Sequence, residues 1–375
     1  MSETSAAPRQ ENHVFRALYL IAIIFVVDGH TTLADMFSMG DLFRYYSFHL
    51  MLFAFGAGYF FRMRGGVMED LFARARRLLV PLYAWNLVYG VGAAFLRRFG
   101  GFEIGQPLTP YTLLLAPIID GEHFVWNLGA WFLFPLFLAQ VIYSLMRRAA
   151  KLWKDNEIFT FLICLTLGSA AVTLCHAGMQ DMLPLFLMRT LILLPGYAGG
   201  QLYRRCLERR DTMKTVPYLL IIVILRALLC VRYENLAYLL SNCSYFVCDA
   251  FGVYFGGALA IAFYLRIARL IAPWMKKSRL ALYASRHTFD IMMHHFMGFF
   301  ALNCVFLAMN ALGVGAADFS VKSMRTMVDY NYAPYGRSEW NILYLTAGML
   351  LPLGVAFIMD QFKAVIAKII KKRTK

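Results

Sequence analysis

The chain has 375 residues, of which 60% are hydrophobic and only 16% charged, with 32 Phe, 21 Tyr, 20 Met and a formal net charge of +15. Soluble globular chains run at about 45–50% apolar and about 25% charged, so too little charge is present to cover a water-facing surface, and a soluble enzyme is excluded. A uniformly basic soluble surface would suggest nucleic acid as partner, whereas a membrane protein sorts its Lys and Arg to one side.

Weakly charged apolar runs predict spans near 14–34, 43–61, 78–96, 125–146, 158–176, 183–203, 216–232, 244–265, 281–310 and 341–366. The basic residues sort between the connections. The N-terminal segment, the tail and the connections after the second, fourth, sixth and eighth spans hold 26 of the 37 Lys and Arg; the alternate connections hold 7, and 4 arginines fall inside spans. The reading is an all-α polytopic integral membrane protein of about ten transmembrane helices, a single membrane domain over 1–375, with both termini in the cytoplasm. No nucleic-acid partner is expected; the bilayer is. The first apolar run is too long for a removable signal peptide and lacks a small-residue cleavage site. Two outer connections, 97–124 and 311–340, are long and carry Pro, Gly and aromatic residues, as caps over an outward cavity would.

The cysteines form no C-x-x-C pair and read as small packing residues, with Cys243 and Cys248 near an outer boundary where an oxidising compartment could pair them. No metal site is indicated, since the adjacent His294 and His295 point about 100° apart on a helix.

An ionisable group at membrane depth is costly unless it faces a cavity or a partner, which makes each one a functional candidate. The first run closes in Val26-Val27-Asp28-Gly29-His30, and Arg16 stands about 21 Å earlier on nearly the same helix face. Either these residues line one cavity, or His30 is solvated by outer headgroups and Arg16 snorkels to the inner surface. In the second run, His49 lies roughly level with His30, and Gly56 and Gly58 allow close helix approach; the alternative there is glycine packing beside a satisfied histidine. Trp126 and Trp131 open the fourth run as interfacial anchors. The ninth holds Arg286, His287, Asp290, His294 and His295, with Arg286–Asp290 and Asp290–His294 both spaced i,i+4, a string expected to line a cavity.

At these residues the chain resembles the membrane-bound acyltransferase 3 family, particularly its fucose 4-O-acetylase-like branch. Residues 26–30 are similar to the family's Val-x-x-Gly-His, and 48–60, Phe-His-Leu-Met-Leu-Phe-Ala-Phe-Gly-Ala-Gly-Tyr-Phe, to its Phe-His-Met-Pro-Leu-Phe-x-Phe-x-Ser-Gly-Tyr-Phe. Trp131-Phe132-Leu133, the segment 195–205 and the stretch from Thr288 to Phe296 follow in the family's order. The chain departs at Tyr19, where the family carries Arg or Lys, at Arg16, where it carries an acid, and at Ala57, where it carries Ser. The branch with Glu in the Trp-containing fourth span is also unmatched, since no acid lies between Trp131 and Arg147.

The resemblance implies transfer of an acyl group, usually acetyl from cytoplasmic acetyl-CoA, to a hydroxyl of a cell-envelope polysaccharide or lipid-linked glycan, in a bacterial inner membrane. His30 would be the general base, with Asp28 orienting it if Gly29 loosens the helix end, and His295 a second polar contact. Arg16, Arg62, Arg74, Arg76 and Arg77 would bind the CoA phosphates. Arg44, His49, Trp131, Asp290 and His294 would meet the acceptor. The rival class is a transporter or flippase in which Asp28, Arg226, Asp249, Asp290 and the histidines form a proton or substrate path.

Overall fold

The computed structural model describes residues 11–31, 37, 39–153, 156–315, 318–331 and 340–373. Arg9, Lys154, Arg337 and Lys375, residues 32–34 of the first expected span and 332–339 of the last outer connection lie outside them. The main helices are α1 (His13–Gly29), α2 (His49–Tyr59), α3 (Val67–Phe99), α4 (Leu133–Trp153), α5 (Glu157–His176), α6 (Leu185–Leu202), α7 (Thr215–Arg232), α8 (Ala250–Lys277), α9 (Arg279–Arg286), α10 (Thr288–Ala311) and α11 (Asn341–Arg373). Helix starts follow side-chain caps: Asn12 accepts from Phe15 N (3.2 Å), Asp249 from Gly252 N (3.0 Å) and Ser278 from Ala281 N (3.2 Å), each satisfying an otherwise orphaned first-turn amide.

Every expected span coincides with a helical segment, the ninth divided between α9 and α10 by a break at His287. Among the described residues, seven helical segments are long and apolar enough to cross a membrane: α3, 125–151, α5, α7, α8, α10 and α11. The chain is a multi-pass, all-α membrane protein. The other three segments, α1, α2 and α6, are the interior of the bundle. α1 packs on α8 and α2, and α2 on α6, so they face protein rather than lipid and need be neither long nor uniformly apolar. The α2–α6 crossing runs backbone on backbone: a Cβ at Gly58 would fall 1.8 Å from Tyr197 O, and one at Gly200 1.9 Å from Phe55 O.

Several expectations change here. α3 begins at Val67, so Arg74, Arg76 and Arg77 sit in helical turns rather than in a loop. Trp126 is no interfacial anchor; it is buried with its ring 4.9 Å from that of Phe300. Cys243 and Cys248 are free, buried thiols, and the Cys243 Sγ points to Leu240 O (3.7 Å). Arg286 does not pair with Asp290, because the break at His287 separates their helices: Arg286 binds Glu11 (2.7 Å), and Asp290 accepts from His287 (2.7 Å).

The basic residues gather at one end of the bundle and staple it. Arg74 binds Asp70 (2.9 Å), Arg147 and Arg205 share Glu157 (2.8 and 3.2 Å), and Arg266 and Arg269 share Asp211. The end of α1 that carries His30 lies at the opposite end.

Candidate active site

A cavity of about 470 Å³ lies at that opposite end, between the last turn of α1, the start of α2, the 3₁₀ segment Val125–Phe132, α6 and α10. His30, His49, Trp131, Arg189, Met292 and Phe296 are in its wall, and the connections at 120–122 and 238–242 also line it. His30 is there because α1 stops at Gly29. A Cβ at Gly29 would fall 2.9 Å from the Tyr45 ring, and the Gly29 carbonyl accepts from Tyr46 Oη (2.7 Å), which fixes the helix end against the turn leading into α2.

The key arrangement joins two histidines. His295, fully buried on α10, has its Nδ1 2.9 Å from Met292 O and 3.1 Å from Ile291 O. Carbonyls only accept, so this Nδ1 carries the proton and donates. His295 Nε2 then holds a lone pair, and it stands 3.3 Å from His30 Nδ1. The proton of neutral His30 is thereby drawn to Nδ1, which leaves Nε2 as its basic nitrogen. The pair is enclosed: the Phe296 ring lies 4.9 Å from His30 and 4.1 Å from His295, and Gly129 brings the 3₁₀ segment so close that a Cβ there would sit 2.8 Å from His295 Cε1. On the far wall, His49 donates from Nδ1 to Tyr45 O (2.6 Å), so its Nε2 is also a lone-pair nitrogen.

A polar pair of this kind, in a cavity inside an apolar bundle, suits proton transfer to and from a hydroxyl. The family profile described as "Acyltransferase domain" matches residues 15–361. The chain belongs to the acyltransferase 3 family. No curated protein and no solved structure matches it. Family membership makes it a membrane acyltransferase and removes the transporter as the leading class. The residues of that rival path agree: Asp249 caps α8 and accepts from Tyr233 Oη (2.7 Å), and Arg226 donates to Leu42 O (2.8 Å) and Ser47 Oγ (3.2 Å), both local ties.

In this acyltransferase His30, His49 and Trp131 share the cavity, with His295 directly behind His30. The other expected residues lie elsewhere. His294 points the other way round α10, its Nδ1 2.7 Å from Tyr89 Oη and its ring against Trp85. Asp290 is tied to His287 at the basic end. Arg44 binds Asp41 (2.7 Å) on the surface. Asp28 is fully buried, and its Oδ2 accepts from Phe37 N (3.3 Å). Arg16 binds Glu11 (2.9 Å) and Ser285 O (3.1 Å) at the basic end. Arg74 is nine-tenths buried and committed to Asp70, Gln140 and Arg62 O, which leaves Arg62, Arg76 and Arg77 of the expected set exposed, beside Arg64.

Two participants stand outside the expected set. Gly129 carries no sequence signal, since its role is an absent side chain at a contact between segments distant in the chain. Arg189 does carry one: it is an ionisable residue inside the apolar run 183–203.

Proposed function

We propose that this acyltransferase moves an acyl group, acetyl in the simplest case, from a cytoplasmic acyl-CoA to a hydroxyl of an envelope polysaccharide or lipid-linked glycan, with His30 as general base. The observation that carries the reading is the Met292 O–His295–His30 relay ending at a cavity wall. The acceptor O–H gives its proton to His30 Nε2, and its oxygen attacks the thioester carbonyl. The resulting imidazolium keeps its Nδ1–H directed at His295 Nε2, so the added charge is shared with a fixed acceptor inside an apolar bundle. Collapse of the tetrahedral adduct breaks the C–S bond, and the same Nε2 proton passes to the leaving sulfur. The acyl group goes directly from sulfur to oxygen; nothing in the arrangement calls for an acyl-histidine stage.

The donor's phosphates fit the basic end, where the exposed Arg62, Arg76 and Arg77 present guanidinium groups to solvent. The basic end is cytoplasmic by the charge rule, and the cavity then lies on the outer side of a bacterial inner membrane. The test is His30→Ala, read by mass spectrometry of envelope glycans in cells producing equal amounts of membrane-inserted protein. Loss of O-acylation by about 10²–10⁴-fold is expected for removal of a general base. A variant that inserts normally and acylates at the wild-type level refutes the assignment.

A further inference from the structure

The buried cations of this bundle fall into two kinds. Arg74, Arg147 and Arg266 each face a carboxylate at the basic end. Arg189, on α6 at the other end, is only 4% exposed, and none of the described carboxylates is within ion-pair distance of it. Of its five N–H donors, one at Nη2 goes to Ser241 O, and its Nε is buried without a hydrogen-bond partner. The guanidinium lies over Trp131 at 4.8 Å, and both residues are in the wall of the cavity that holds His30 and His49. Gly121, at φ +65°, brings its turn onto the group so closely that a Cβ there would meet Nη1 at 1.7 Å. Asp120 and Glu122 also border the cavity, but Asp120 accepts from Tyr111 Oη (2.7 Å), and neither is ion-paired with Arg189.

A cation out of water without a counter-charge is costly, and the cost is relieved when an anion enters beside it. Arg226, another buried arginine of this end, has its Nε and Nη2 tied to Leu42 O and Ser47 Oγ; it too keeps a buried Nη1 without a hydrogen-bond partner, but it is not in the cavity wall. Arg189 borders the cavity that would take the acceptor and lies over Trp131, with donors left over. Planar guanidinium donors match a carboxylate or a phosphate. We propose that Arg189 is the anion-binding residue of the acceptor pocket, so that the acyl acceptor is a glycan carrying a carboxylate or phosphate near the hydroxyl that is acylated. This deepens the acyltransferase reading and rests on it.

The test needs no catalysis. Full-length protein in detergent, at fixed ionic strength, is titrated with glucuronate, glucose 1-phosphate and glucose, and Kd is taken from thermal stabilisation. One charged sugar is expected to bind about tenfold or more tightly than glucose, the size of one charge-assisted contact. Glucuronate winning identifies a carboxylate, and glucose 1-phosphate winning a phosphate. The preference disappears in Arg189→Gln and survives in part in Arg189→Lys, while Arg44→Gln, on the surface of the same end, retains it. Equal binding of the three sugars by the wild type, including no binding of any, overturns the proposal, as does an undiminished preference in Arg189→Gln. The wild-type comparison stands even where a variant does not fold. His30-dependent acylation with no charge preference would refute this proposal alone; acylation independent of His30 would refute the reading beneath it.

Discussion

Replacing Gly129 by Ala probes the histidine pair without touching either ring's chemistry. The added Cβ would stand 2.8 Å from His295 Cε1 and 2.9 Å from Met292 O, whereas ordinary contact begins at 3.4 Å. A displacement of about 0.6 Å from the ring and about 0.5 Å from the backbone carbonyl is needed, so the 3₁₀ segment and the His295 ring must both shift. Carried to His295 Nε2, a shift of that size changes the 3.3 Å separation from His30 Nδ1 by up to about 0.6 Å, enough to take it past hydrogen-bonding range. His30 then loses the imidazole acceptor on α10 and keeps its backbone bond to Val26. A misplacement approaching 1 Å costs about 10²-fold, so O-acylation should fall by about 10–100-fold, or about 1.4–2.7 kcal/mol of barrier, in kcat rather than KM. Overpacking should also cost about 1–3 kcal/mol of stability. The assay is glycan O-acylation at matched membrane expression, with Gly92→Ala as control, because a Cβ there meets nothing within 4 Å. Wild-type acylation by Gly129→Ala would show that the pair does not set the rate.

Two predictions concern the basic end. Arg74→Ala removes the close ion partner of buried Asp70, leaving Arg148 at 4.0 Å and the Ser144 hydroxyl, and should cost about 3 kcal/mol, seen as a large drop in Tm; a variant of wild-type Tm with weakened acyl-CoA binding would return Arg74 to the donor site. Glu11 sits outside the bundle, and its hydrogen bond to Arg286, helped by the charge of Arg16, holds its carboxyl at about 2 against an ordinary 4.5. A depressed folded pKa stabilises above the unfolded value and is lost as pH falls through the folded one, so the Tm gap between wild type and Glu11→Gln should be full at pH 7 and close between about pH 4.5 and 2. For so solvated a pair the gap should be under about 1 kcal/mol, and one that grows on acidification would reverse the assignment.

The helices were legible because their signal is local: apolar runs and sorted charges exist in the primary structure before any contact forms. The site was legible in part for the same reason. His30 and His49 stand out as polar residues closing or opening apolar runs. What could not be read is which face each residue presents. His294 and His295 are neighbours in sequence, yet one serves Tyr89 and the other His30. The i,i+4 spacing of Arg286 and Asp290 presumed a continuous helix, and the break at His287 voided it. The arginines assigned wholesale to phosphate binding divide by burial, since Asp70 claims Arg74 and leaves Arg76 and Arg77 to solvent.

The shortness of α2 has an electrical consequence. Its 11 residues span about 16 Å, roughly half of a hydrocarbon core of about 30 Å, and it stands between the basic end and the histidine cavity. A net charge carried past α2 between the two ends would do work against the transmembrane voltage, about 2.3 kcal/mol per elementary charge per 100 mV for a full crossing. Under the proposed chemistry none is carried: the acyl group is neutral, and the proton taken up by His30 leaves on the sulfur. Transfer of this kind is electroneutral, and its rate should hold steady when the membrane potential is collapsed.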